Sequence, residues 1–146
     1  MPAVDPDNEA TFKVIEIPST LAAARGPEAV IVGEAQACGY CEDTLFAVKL
    51  AMEEAMTNAV KHGNRGDPSR RIVVRYAVTN EKLVVIVTDQ GTGFAPELIP
   101  DPTTPERLPL PNGRGIMLMR AYMDDVQHRK NGTEVYLMKR NTTMGR

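Results

Sequence analysis

Glu54 and Asn58 stand four residues apart in the stretch Glu53-Glu54-Ala55-Met56-Thr57-Asn58-Ala59-Val60-Lys61-His62-Gly63. At about 100° per residue, positions four apart share one side of a helix, so this pair would place a carboxylate and a carboxamide one turn apart. An amide oxygen is a ligand for a hard cation, and a neighbouring carboxylate can orient or deprotonate whatever the cation holds. Glu53 falls nearly opposite, towards solvent, which singles out Glu54. A Glu and an Asn at this spacing are also what an ordinary solvated helix face carries, so the pair needs support from the rest of the chain.

The helix itself is legible. From about Asp43, Leu45, Val48, Met52, Ala55, Met56 and Ala59 recur at three- and four-residue steps, and Gly63 supplies a stop. Such an element has roughly 20 residues and runs ~30 Å, with Glu54 and Asn58 on the flank of its apolar stripe. Two glycine motifs follow. Asp89-Gln90-Gly91-Thr92-Gly93 ends the apolar run Leu83-Val84-Val85-Ile86-Val87, and Asn112-Gly113-Arg114-Gly115 opens a short apolar helix from Ile116 to Met123. The free N–H groups at such a helix start can hold phosphate, and glycine lets a ligand come close to the backbone.

Between the two motifs, Phe94 to Pro111 holds six of the chain's 11 prolines and shows no periodicity. A stretch of that kind is a functional lid or a disordered segment. Each glycine motif alone is compatible with a plain loop. Their order is more telling: a Glu-x-x-x-Asn helix, an Asp-x-Gly-x-Gly strand end, a lid and a Gly-x-Gly helix start would together make a nucleotide pocket. The dinucleotide-binding G-x-G-x-x-G and the Walker G-x-x-x-x-G-K are both missing, so this would be a different way of holding ATP.

The remaining elements must position these residues. Thr11 to Ile17 alternates as a half-buried strand ended by Pro18, and Ser19 can cap the helical stretch Leu21 to Ala37, which Gly26-Pro27 should break or kink unless Pro27 occupies the first turn of the main helix. Arg71 to Val78 and Lys82 to Thr88 read as a hairpin, its second strand apolar throughout and therefore central in a sheet. A last hairpin, Asp125 to Arg129 and Gly132 to Lys139, turns at Asn131-Gly132.

A chain of 146 residues with 42% hydrophobic and 25% charged residues fits one soluble domain, 1–146, with an acidic, proline-containing start at 1–10 expected to fray. Its formal charge of −2 gives no reason to expect nucleic acid. The one basic stretch, Lys61, His62, Arg65, Arg70, Arg71 and Arg75, suits a solvated helix-to-strand corner. No apolar run reaches a membrane span and no positively charged leader precedes an apolar one, so a cytoplasmic location is expected, with no membrane contact. Cys38 and Cys41 form a lone C-G-Y-C without a second ligand pair, which leaves two reduced thiols as the default over zinc or redox chemistry. With His62 read as a residue closing the helix and His128 elsewhere, no histidine metal constellation is expected.

The motifs E-E-A-M-T-N-A-V-K-H-G, T-D-Q-G-T-G-F, N-G-R-G-I-M-L-M and the late G-T-E-V, in this order over nearly the whole chain, resemble the GHKL (histidine-kinase-like) ATPase superfamily. More narrowly, they are similar to the anti-sigma-factor serine-protein kinases of the RsbW/SpoIIAB type. The resemblance implies a two-layer α/β (α+β) sandwich, with a mixed, mostly antiparallel sheet covered on one face by helices and residues 94–111 as an ATP lid. It implies ATP and Mg²⁺ as ligands. Glu54 would be the general base towards a serine hydroxyl, Asn58 a Mg²⁺ ligand, and Asp89 the acceptor of the adenine amino group. Gly91 and Gly93 would shape the base pocket with Thr133 beside them, and Gly113, Arg114 and Gly115 would wrap the triphosphate. The implied partners are a sigma factor and a STAS-domain anti-anti-sigma antagonist, with a homodimer as the family's oligomeric state. The rival reading is a non-catalytic module whose ATP state gates binding to a regulatory protein. The chain has no room for the phosphoacceptor helical hairpin of a sensor histidine kinase.

Overall fold

The computed structural model describes residues 3–91 and 118–142. Five strands form one sheet: β1 (Lys13–Pro18), β2 (Arg71–Val78), β3 (Lys82–Thr88), β4 (Asp125–Arg129) and β5 (Glu134–Arg140). Their order is β1-β2-β3-β5-β4 and every pairing is antiparallel. The apolar run Leu83 to Val87 thus lies in the central strand, and all five of its residues are buried.

Alternation along the strands sorts the sheet into two faces. Ile17, Ile72, Val74, Tyr76, Leu83, Val85, Val87, Val135 and Leu137 face the helices and build the main core with Ile31, Val48, Met52 and Met56. Ala77, Val84, Ile86, Tyr136 and Met138 point the other way. That second face is covered by the start of the chain. Val4 and Phe12 pack on it, Asp7 pairs with Lys82, and Glu9 pairs with Arg75 and Arg129. Residues 4–10, within the start expected to fray, lie along the sheet together with Thr11 and Phe12 because these contacts tie them down.

The same face holds a buried carboxylate. Glu134 is only 2% exposed, yet Arg75, Arg129 and Lys130 reach it and Thr88 Oγ1 donates to it at 2.9 Å. Burial alone would raise its pKa; the hydrogen bond and the three cations outweigh burial and hold it below the usual carboxylate range. Arg70, Arg71 and Arg75 of the basic stretch are likewise committed to Asp67, Glu16, and Glu9 with Glu134. The corner is therefore a set of ion pairs within the fold.

Two antiparallel helices cover the main core. α1 (Leu21–Ala37) is capped by Thr20, whose Oγ1 accepts from Ala23 N at 3.1 Å; Ser19, the expected cap, is instead buried. Of the outcomes expected at Gly26-Pro27, a break does not occur: α1 runs through Pro27, which is buried, while Gly26 beside it is exposed. α2 (Glu42–Asn58) continues without interruption into a widened π-turn, Ala59–Gly63, closed by Asn64 N donating to Ala59 O at 2.8 Å. Such widened turns recur at functional sites because they re-aim the last side chains of a helix. Cys38 and Cys41 bracket the α1–α2 turn as half-buried thiols that form no disulfide, and Cys41 Sγ shares a hydrogen bond with Thr44 Oγ1 at 3.1 Å. A short helical segment at 118–122 lies on the same side, with Met119 and Met123 in the core. Among the described residues no helix is long and apolar enough to cross a membrane.

Glu53 points outward from α2, as its phase predicts, but it meets Glu28 of α1. Burial, then the Glu53 charge and a hydrogen bond to Glu53, push Glu28 up from 4.5 to about 7, against the pull of Lys49 and Arg25. The folded protein therefore holds this proton more tightly than the unfolded chain. Its contribution is complete below the ordinary glutamate value and is lost as pH rises through about 7. Melting temperature measured from about pH 5.5 to about pH 8 should fall further in the wild type than in Glu28→Gln, which carries no titrating group there. Parallel pH profiles for the two proteins would contradict the shared proton.

Candidate functional site

Helix phase and strand ends converge at one corner of the sandwich. Ala55, Asn58, Ala59, His62 and Gly63 recur at helical spacing and turn one face of the α2 end and its π-turn towards the sheet. Opposite them stand Val87 and Asp89 at the end of β3, Gly132, Thr133 and Val135 from the β4–β5 turn and the start of β5, and Met119 from the short helix. Together with His128 of β4 they line a cleft of about 90 Å³. Its floor is apolar and its rim carries a carboxamide, a carboxylate, a hydroxyl and two imidazoles. This is the composition of a small-molecule pocket: apolar body, few convergent polar groups.

Asp89 is the charged group in that rim. Its backbone N–H donates to Thr133 O at 2.8 Å, which continues the β3–β5 ladder by one bond, and its Oδ1 accepts from Gly91 N at 2.8 Å. No hydrogen bond to Oδ2 is made among the described residues. Burial raises its pKa, opposed by the Gly91 hydrogen bond and the Arg70 charge. A carboxylate so placed accepts a hydrogen bond strongly from a ligand N–H.

The glycines around it are required by space. A Cβ on Gly63 would overlap the Asp89 carboxylate, and one on Gly91 would overlap the carbonyl of Gly63. The chain end of α2 and the turn after β3 are thus in direct backbone contact, and the carboxylate occupies the room that a side chain at 63 would take. Gly91 was expected to shape the pocket from its sequence motif; Gly63, read from sequence only as a helix stop, belongs to the same contact.

Of the other expected residues, Asn58 lines the cleft. Thr133 does too, though its hydroxyl donates to Lys130 O at 2.8 Å and so offers a ligand only its lone pairs. Glu54 is half-buried on α2 one turn before Asn58, on the same flank, but outside the cleft lining. Gly93, Gly113, Arg114, Gly115 and the 94–111 segment lie outside the described residues.

Sequence reasoning missed the two histidines. His62 and His128, the only two in the chain, both line the cleft. Burial lowers both pKa values, helped by Lys61 at His62 and by Arg120 at His128, so both imidazoles are neutral near pH 7. The available signal was the helical phase of His62 on Asn58, four residues on; nothing local marks His128. Among the described residues no cluster of three His, Cys, Asp or Glu side chains could hold a metal ion. Asn58, Asp89 and Thr133 bring side-chain oxygens to the cleft lining.

The pattern of the histidine kinase-like ATPase domain family matches residues 17–139, which takes in every element around the cleft. The serine-protein kinase RsbW of Bacillus licheniformis is 36% identical over 104 residues, 65% of this chain and 63% of that protein. The RsbW of Listeria monocytogenes is 32% identical over 115 residues, 73% of each chain. A solved structure of the RsbU and RsbW domains of a Mycobacterium tuberculosis protein superposes with a TM-score of 0.56 at 16% identity, covering 88% of this chain and 32% of that one. The last shares the fold; the first two carry the kinship in sequence. With its five-stranded antiparallel sheet, its helices on one face and its Glu-x-x-x-Asn helix at the cleft, the chain belongs to the histidine kinase-like ATPase family and, within it, to the anti-sigma-factor kinases of the RsbW type.

Proposed function

We propose that the chain is a cytoplasmic, ATP-dependent serine/threonine protein kinase that acts as an anti-sigma factor and phosphorylates a STAS-type anti-anti-sigma antagonist. One observation carries the reading. Three stretches far apart in sequence, the end of α2, the end of β3 and the β4–β5 turn, meet around one cleft with the donor set that ATP needs.

In this reading Asp89 accepts the adenine amino group, Gly63 and Gly91 let the turn that carries Asp89 pack against the end of α2 at the base pocket, and Thr133 stands at its edge. Asn58 holds Mg²⁺, which supplies charge neutralisation on the phosphates. Gly113, Arg114 and Gly115 follow the triphosphate and Gly93 completes the base pocket. Glu54 receives the serine proton as that oxygen attacks the γ-phosphorus; the bond to the bridging oxygen breaks and ADP leaves. Phosphoryl transfer asks the protein mainly for position and charge stabilisation, which this set provides. The partner logic follows the family: the kinase holds a sigma factor idle until the unphosphorylated antagonist competes for it, and phosphorylation frees the kinase again. A homodimer is part of the same reading.

Glu54 stands outside the cleft lining, and that placement favours a second reading, a non-catalytic module whose nucleotide state gates partner binding. With Mg²⁺ and γ-labelled ATP in extract of the source cells, the wild type should label a serine on a small protein. Glu54→Gln should slow that labelling by about 10²–10⁴-fold, the range of a lost general base. ATP affinity should be unchanged. Intact ATP binding with no label from the wild type would establish the module instead. Asn58→Ala should lower ATP affinity in Mg²⁺ by at least about tenfold, since even outer partners of a metal ligand are worth that much. Its melting temperature without nucleotide should hold, because a half-buried border residue packs little. Equal ATP affinity with and without Mg²⁺ in the wild type would remove Asn58 from the metal.

A further inference from the structure

Asn64 lies directly after the π-turn and is completely buried, yet no step of the proposed reaction uses it. Its side chain spends each kind of hydrogen-bonding group on a different element. Nδ2 donates to Ser19 Oγ at 3.0 Å, at the β1–α1 junction, and to Arg71 O at 3.1 Å, at the start of β2. Oδ1 accepts the backbone N–H of Gln90 at 2.8 Å. Gln90 is the residue between Asp89 and Gly91.

Gln90 is held on two further sides. Its Oε1 accepts from Arg71 N at 2.6 Å, and its backbone O accepts from Arg70 Nη1 at 3.3 Å. Those two bonds come from one strand start at the protein surface. Among the described residues, only the Asn64 bond comes from the α2 side of the cleft, the side that carries Asn58 and Gly63. Among the described residues, the turn 89–91 is therefore hydrogen-bonded to the α2 side by one buried carboxamide, beside the close contact of Gly63 with Asp89 and Gly91. The Asp89 carboxylate, packed against Gly63 and bonded to Gly91 N, has its position set through the peptide that Asn64 grips.

We infer that Asn64 is the positioning residue of the base pocket: by anchoring Gln90 N–H to the end of α2, it aims the Asp89 carboxylate at the exocyclic amino group of a purine. This deepens the proposed function and rests on its assignment of Asp89 to the base. Asn64 touches no ligand. Its effect reaches the ligand through Asp89 alone, so it governs discrimination at the purine 6-position and leaves phosphate contacts untouched. Asn is suited to the task, having two N–H donors for Ser19 and Arg71 and an acceptor for Gln90 in one planar group. Aspartate retains the acceptor but has no N–H for the Arg71 carbonyl.

The test compares dissociation constants for Mg-ATP and Mg-inosine triphosphate, which bears an oxygen in place of the 6-amino group, by calorimetry on the full chain. Wild type should prefer ATP by about tenfold or more, the worth of a hydrogen bond to a charged acceptor. Asp89→Ala should bring the ratio close to unity. Asn64→Ala should do the same while inosine triphosphate affinity changes little, and Asn64→Ala/Asp89→Ala should be no worse for ATP than Asp89→Ala alone. Asn64→Asp separates aim from fold: it should lower the melting temperature and keep the ratio, since Gln90 N–H retains its acceptor. If Asp89→Ala leaves the ratio at the wild-type value, the base assignment falls and this inference with it. If Asp89→Ala removes the preference while Asn64→Ala, folded by circular dichroism, retains it, only the inference falls. Should Asn64→Ala not fold, loss of the ratio in Asn64→Asp would overturn the proposal and its retention would support it.

Discussion

The contact on which the cleft depends is the approach of two backbones with no side chain between them. Gly63 at the end of the α2 π-turn and Gly91 after β3 come so close that a Cβ on either would overlap the other segment, and the Asp89 carboxylate occupies the gap. A charge placed against a glycine in this way is half-desolvated before any ligand arrives, and its raised pKa reflects that burial. The π-turn serves the same contact. It carries Asn58, His62 and Gly63 on one face while Asn64 N reaches back to Ala59 O. Strand end and β4–β5 turn thus meet through the Asp89 N–H bond to Thr133 O, helix and strand end through the Asn64 carboxamide and the glycine contact, and the side chains at the rim inherit their positions from these links.

Much of this was legible from residue types. Five consecutive buried apolar residues in β3 can sit only in the centre of a sheet, and they do. The stripe of α2 put Glu53 outside and Glu54 and Asn58 on the flank, as found. Asn131 and Gly132 adopt positive φ at the last turn, as their types suggest. Where local rules misled, tertiary contacts account for the difference. Gly26-Pro27 was expected to break or kink α1 or to begin a helix, and the helix continues through Pro27 with its buried face packed on α2 and the sheet. Ser19 has the chemistry of a cap and yields that role to Thr20, since it is buried against Asn64. The acidic start has no periodicity, and what fixes it, Lys82, Arg75 and Arg129, is remote in sequence.

The site shows the same division. Asn58, Asp89 and Gly91 belong to contiguous motifs, so the order of those motifs and the family resemblance they carry brought them forward. His128 and Asn64 do not. His128 reaches the cleft because β4 is the strand beyond β5 in the sheet order, and Asn64 matters because three elements converge on it. Neither fact can be read from a local window. The buried Glu134 among three cations is a similar case: a lone acid in a strand gives no hint that Arg75, Arg129 and Lys130 will gather round it.

Titrating Mg-ATP into the isotope-labelled protein and following backbone amide resonances tests the central claim most directly, that this cleft holds the nucleotide. The largest shifts should fall on Gly63, Gln90, Gly91 and Thr133, with Asn58 responding only when Mg²⁺ is present. Saturable shifts confined to the outer α1–α2 groove around Arg25, Glu28, Lys49 and Glu53, or none at millimolar ATP, would contradict it.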